Sequence, residues 1–153
     1  MLGPLYPYIK FLHVLLAIVA VGFNASYGIW LARAAREPAH LGHVLRGIKL
    51  LDDRFANPAY VLLLLTGLAN VFIAGIPLTT PWILGALVLW ALLLALGAGL
   101  YTPTLRRQIA ALDASGPESA AYRSLAARGQ TTGILLAVIV VVIVFLMVTK
   151  PGA

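Results

Sequence analysis

The sequence predicts an all-α integral membrane protein, a four-helix bundle built as two helical hairpins. Three observations lead there. Hydrophobic residues make up 61% of the chain and charged residues 10%, against about a quarter charged in soluble globular domains. Four stretches, at about residues 8–32, 55–76, 81–100 and 131–149, are each long and apolar enough to cross a bilayer. About twenty residues at ~1.5 Å rise span a ~30 Å hydrocarbon core. Finally, nine of the eleven Lys and Arg residues lie between the first and second spans or between the third and fourth. At 153 residues the chain reads as one domain, 1–153, with little left for a soluble module.

The first span contains "YIKFLHVLLAIVAVGFNASYGIW", Tyr8 to Trp30, an apolar run interrupted by Lys10, His13, Asn24 and Tyr27. Polar side chains in hydrocarbon need a partner, a route to the surface or a function. At ~100° per residue, His13 and Asn24 lie within about 20° of each other. Lys10, Ala17, Ala20, Tyr27 and Gly28 share their side, so this stripe is expected to face the bundle interior. The run lacks a basic leading segment and ends in Arg33 and Arg36, which is unlike a signal peptide.

The second helix is expected from about Ala39, after the proline start at Pro38, to about Ala74, with a kink at Pro58. Leu41, Val44, Leu45, Ile48, Leu51 and Phe55 recur at helical spacing. Within "LDDRFANP", the residues Asp52, Asp53 and Arg54 read as a charge collar paired with Arg33, Arg46 or Lys49. Thr66 and Asn70 add polar groups one turn apart to the span itself.

The third helix is expected from Pro81 past Pro103 to about Leu112. It carries the small residues Ala91, Ala95 and Gly99 at four-residue intervals, a pattern that permits close helix approach. Ala17, Ala20, Asn24 and Gly28 do the same on the first helix. The first and third helices are therefore expected to pack together, the alternative being that either stripe meets a second copy. Trp90 and Tyr101, eleven apart, would extend a polar seam. After the "ASGPES" turn a final helix is expected from about Glu118 to Lys150. Its stretch "GILLAVIVVVIVFLMV" has no polar group and is expected to face lipid. The two halves are loosely alike, which leaves an internal duplication open.

Basic residues cluster in the two connections that the positive-inside rule would hold in the cytoplasm. The termini are then expected on the outer face of a bacterial inner membrane, with the helices extended on the cytoplasmic side. The net charge of +6 is accounted for by topology. It points to the lipid bilayer and its anionic headgroups as partners, and not to nucleic acid.

Candidate chemistry is sparse. The chain has no Cys, so it builds no disulfide or thiolate site. No nucleophile motif, phosphate-binding glycine loop or zinc-ligand spacing occurs, and no enzyme is indicated. No metal site is expected, because the spans hold no acidic residue and His40 with His43 lacks a third ligand. His13 is the candidate ligand for haem b, with Asn24 and Tyr27 as companion cofactor-binding residues. A neutral imidazole is the usual axial ligand in a helical bundle. His40 and His43 lie roughly 30–40 Å away along the helices, which rules out two-histidine coordination within one chain.

"KFLHVLLAI", "LDDRFANPAYVLLLLTGLANV", "PWILGALVLWALLLA" and "LMVTKP" resemble a family of small four-span bacterial membrane proteins of unassigned function. Lys10 with His13, the Asp/Arg group before Pro58, Pro81-Trp82 and Lys150-Pro151 carry that likeness. The lysine–two residues–histidine opening is also distantly similar to membrane protoporphyrinogen oxidases of the HemJ type and to copper-resistance D membrane proteins. Similarity to those oxidases implies haem binding by the first-span histidine, and only His13 corresponds. The second and third spans lack the oxidases' lysine, and Ala20 stands where such first spans often have tryptophan.

Together these features indicate a non-enzymatic accessory subunit or small-ligand-binding protein of the membrane. Two alternatives are a haem-binding or redox protein using His13, and a transporter or channel formed by an oligomer. A homodimer or a larger membrane complex is the expected assembly.

Overall fold

The computed structural model describes residues 3–152. A short 3-10 turn, Gly3–Leu5, leads into a first helix, Tyr6–Ala34. The second helical rod runs Pro38–Ile73, the third Pro81–Ser115 and the fourth Ala120–Thr149, and all four are long and apolar enough to cross a membrane. Prolines begin the second and third rods, where a missing N–H costs nothing. The fourth starts two residues later than expected from Glu118, because the Ser119 hydroxyl caps it by accepting from the Tyr122 N–H at 3.2 Å.

The second and third rods each contain a π-helical turn. The second is α-helical over Pro38–Leu51, π-helical over Asp52–Ala56 and α-helical again over Asn57–Ile73. The third has the same plan, with Pro81–Leu96, a π-turn at Gly97–Tyr101 and Thr102–Ser115. In each turn an amide reaches five residues back: Asn57 to the Asp52 carbonyl and Thr102 to the Gly97 carbonyl. Pro58 and Pro103 follow directly. A proline ring clashes with the carbonyl four residues earlier, and widening the preceding turn relieves that clash without breaking the rod. The kink expected at Pro58 is thus a π-turn, and Pro103 has a matching one.

Helix pairing departs from expectation. The first helix packs along the Asn57–Ile73 half of the second, and the Pro81–Leu96 half of the third packs along the fourth. No substantial contact joins the first and third helices. Ala91, Ala95 and Gly99 are all exposed on the outside of the bundle, as is Gly28. The close approach of the first helix is instead to the second, where Ala20 is fully buried and Gly67 meets an aromatic ring. Within the described residues the two pairs join where the first helix touches the fourth and where Pro38–Leu51 meets Thr102–Ser115.

Three apolar clusters follow the length of the bundle. At the basic end lie Tyr27, Ala34, Leu41, Leu45, Ile48, Leu105 and Tyr122, contributed by all four helices. Leu93, Ile139 and Val140 form the middle, with Val21 and Tyr60 packed on them. Near the termini, Val71, Trp82 and Ile83 gather Ile76, Leu87 and Met147. There Lys150, in a left-handed conformation (φ 46°), ends the last helix before Pro151. Its Nζ lies 5.7 Å from the centre of the Trp82 ring, a cation–π distance. Most of the apolar surface of the fourth helix, including Ile134, Val138, Val141 and Phe145, faces outward.

Leu45 is fully buried where the four helices converge. Leu45→Ala is expected to destabilise the bundle by about 2–5 kcal/mol. Thermal unfolding of the detergent-solubilised protein checks this, with Leu50→Ala on the exposed face of the same helix as a near-neutral control.

Candidate functional site

Polar side chains meet at three levels along the bundle, each time across a helix–helix contact. At the level nearest the termini, His13 Nδ1 lies 2.9 Å from Thr66 Oγ1. The Thr66 hydroxyl itself lies 2.7 Å from the Leu62 carbonyl. It can donate to the Leu62 carbonyl or to His13 Nδ1; when it donates to Leu62 it accepts from Nδ1–H, and Nε2 then keeps its lone pair.

Gly67 makes room for this ring. A Cβ at position 67 would sit 3.1 Å from His13 Cε1 and 3.7 Å from Nδ1. The imidazole thus turns its Cε1 edge to the backbone of the second helix at Gly67, with Nδ1 against Thr66. His13 is half-buried, while Lys10, one turn earlier, is exposed with its Nζ 5.8 Å from the Tyr6 ring centre. Asn70, one turn beyond Thr66, has a buried Oδ1 without a hydrogen-bond partner among the described residues.

At mid-bundle, Asn24 Nδ2 donates to the Ala20 carbonyl at 2.9 Å and to Tyr60 Oη at 2.8 Å. Both amide hydrogens are used, so Asn24 ties the first helix to the second. Such a bond between membrane helices is worth about 0.6 kcal/mol on average. Tyr60 was not singled out in the sequence, where it sits unmarked at the start of the apolar run "YVLLLLTGLANV". Its partner Asn24 was the available signal.

The third level lies at the two π-turns. Asp52, 6% exposed, receives Asn57 Nδ2 and Thr102 Oγ1, both at 3.4 Å and both on Oδ2. Thr102 belongs to the third rod, so this carboxylate bridges the two π-turns. Asp52 therefore departs from the expected charge collar and points into the bundle. Lys49 pairs with Asp53, Arg46 pairs with Asp113 at 3.0 Å, and Arg54 is exposed. Asp52 continues the buried series Leu41, Leu45 and Ile48 at helical spacing, and Asp53, about 100° further round, stays on the outer face. Tyr27 is 4% exposed in the basic-end core, and its Oη has no hydrogen-bond partner among the described residues.

The sequence-derived residues are therefore divided among the levels. His13 stands apart from Asn24, at eleven residues and about 16 Å along the same helix. Asn24 and Tyr27 flank the region between the middle and basic-end levels. His40 and His43 are exposed on the outside of the second rod.

Residues 7–151 match the family described as predicted integral membrane protein DUF2269, and the chain belongs to that family. No curated protein matches the chain, and no solved structure does. The likeness to HemJ-type oxidases and copper-resistance D proteins thus rests only on the residues quoted from the sequence.

Thr66→Val, close in size but without the acceptor, is expected to release the His13 ring. The 15N NMR signals of His13 should shift from a single Nδ1–H tautomer towards an averaged pair. The bundle should lose about 0.5–1.5 kcal/mol in the same variant.

Proposed function

We propose that this integral membrane protein is a non-enzymatic subunit that binds one small ligand through His13, and that haem b is the ligand best suited to that side chain. The observation that supports the proposal is the contact of Nδ1 with Thr66 at 2.9 Å. In the tautomer in which Nδ1–H donates to Thr66, Nε2 is left as a donor atom. Imidazoles that bind metal usually hydrogen-bond through their other nitrogen, which orients the ring and raises its basicity. Gly67 adds to this by letting the ring lie against the helix backbone.

The donor set favours a porphyrin over a bare ion. A divalent ion needs several protein ligands, and the described residues hold no group of three His, Cys, Asp or Glu. A porphyrin brings its own equatorial nitrogens and asks the chain for one axial bond. Asn24 and Tyr27 are too deep to touch a ligand on His13, so their part in this proposal is to hold the first helix in register.

The visible absorption spectrum of protein purified in detergent from haem-supplemented cells tests the ligand. A Soret band is expected, and it should be lost in His13→Ala and weakened in Gly67→Val. A colourless preparation, or a band that survives His13→Ala, overturns the assignment.

The proposal also carries an orientation, with both termini on the periplasmic side and the two basic turns in the cytoplasm. Nine basic residues at one end against Lys10 and Lys150 at the other support it. A reporter active only in the periplasm, fused after Ala153, should be active. Activity of a cytoplasm-specific reporter at the same position would reverse the orientation.

A further inference from the structure

Towards the basic end of the bundle the third and fourth helices leave a cleft of about 490 Å³ between them. Leu100, Ala127, Arg128, Thr131 and Thr132 line it, and all but Thr132 are exposed. We propose that this cleft holds one anionic phospholipid, with the headgroup phosphate on the Arg128 guanidinium. The site rests on the bilayer placement of the four spans and is independent of His13.

The cleft follows from where the two helices touch. A Cβ at Gly133 would sit 3.7 Å from Tyr101 Cε2, and one at Gly129 would sit 3.4 Å from Gln108 Oε1. Contact therefore runs along the glycine side of the fourth helix. Arg128, Thr131 and Thr132 lie on the adjoining side. On the third helix the π-turn Gly97–Tyr101 brings Leu100 to the cleft, next to the bare backbone of Gly97 and Gly99. A Cβ at either glycine would meet nothing within 4 Å.

Arg128 has no ion pair among the described residues. Asp53, Asp113 and Glu118 pair with Lys49, Arg46 and Arg123, and Asp52 is held by Asn57 and Thr102. The Thr131 and Thr132 hydroxyls bond to carbonyls of their own helix at 3.0 and 2.9 Å. The guanidinium is thus the charged donor of the cleft, and its planar fork can take two phosphate oxygens at once.

Depth and shape select a lipid over a free phosphate. Arg128 stands five residues before Gly133, where the run without polar groups, Gly133–Val148, begins. That is a rise of roughly 7 Å, and the headgroup layer is about 5–8 Å deep on each side of the hydrocarbon core. Leu135, Val138 and Val142 follow Arg128 and Thr131 at steps of three and four residues, and all three are exposed. A charged head group site therefore stands above a continuous apolar strip, the complement of a phosphate joined to an acyl chain. Basic pockets between membrane helices bind anionic headgroups in this way. A zwitterionic headgroup would bring its own cation beside Arg128, so an anionic one is preferred.

Native mass spectrometry of the whole detergent-solubilised protein tests this with dioleoyl phosphatidylglycerol and dioleoyl phosphatidylcholine as probes. One phosphatidylglycerol per chain should be retained, about fivefold more tightly than phosphatidylcholine. Arg128→Gln should remove that preference. Ala127→Leu, at an exposed position where added bulk fills the cleft, should weaken retention. Arg36→Gln, an exposed change at the same end but outside the cleft, should leave both unchanged. Equal retention of the two lipids overturns the proposal, as does a preference that survives Arg128→Gln or falls equally in Arg36→Gln. Displacement of the bound phosphatidylglycerol by equimolar inorganic phosphate would mean that the site takes phosphate alone, and overturns the lipid assignment.

Discussion

Hydrocarbon offers no water to a polar group, and that constraint orders this bundle. Every N–H and C=O in a span must be satisfied inside the protein, which the four long helices accomplish for nearly all their backbone. The exceptions fall at Pro58 and Pro103, and there each rod changes from α to π geometry. Polar side chains obey the same rule. His13, Asn24 and Asp52 each reach across a helix contact to Thr66, Tyr60 and Thr102. These bonds fix which helix faces which, because the apolar surfaces alone would pack in several ways.

The basic end is held differently from the rest. There Pro38–Leu51 and Thr102–Ser115 extend beyond the paired spans and close a core with Tyr27, Leu105 and Tyr122. The Arg46–Asp113 pair joins the same two segments, but both side chains are more than half exposed, and such a pair is worth about 0–1 kcal/mol. Cohesion at this end therefore comes from Leu41, Leu45 and Ile48. The opposite end relies on Trp82 and Pro81, with Lys150 over the Trp82 ring and Gly152 against Pro81. Pro81-Trp82 and Lys150-Pro151, two of the segments that carry the family likeness, are thus neighbours in space.

The four spans were legible in the sequence because hydropathy and length report directly on bilayer crossing. The inward stripe of His13 and Asn24 was legible too, since helical periodicity needs no tertiary information. What periodicity does not encode is the identity of the facing helix. Ala91, Ala95 and Gly99 matched the pattern of a close contact yet face outward. The true close contact hung on one glycine, Gly67, inside the apolar run "LLLLTGLANV". Asp52 continues the buried series Leu41, Leu45 and Ile48 at helical spacing, yet its charge and the basic residues around it argue for a surface position.

Each π-turn stores one residue more than a straight helix would use over the same path. Deleting one residue from Asp52–Ala56 would let that turn close to regular geometry with Leu41, Leu45 and Ile48 still facing the basic-end core. A second deletion would have no surplus to draw on and would turn everything before it by about 100°. Each π-turn is thus a reserve of one residue that keeps the two halves of its rod in phase.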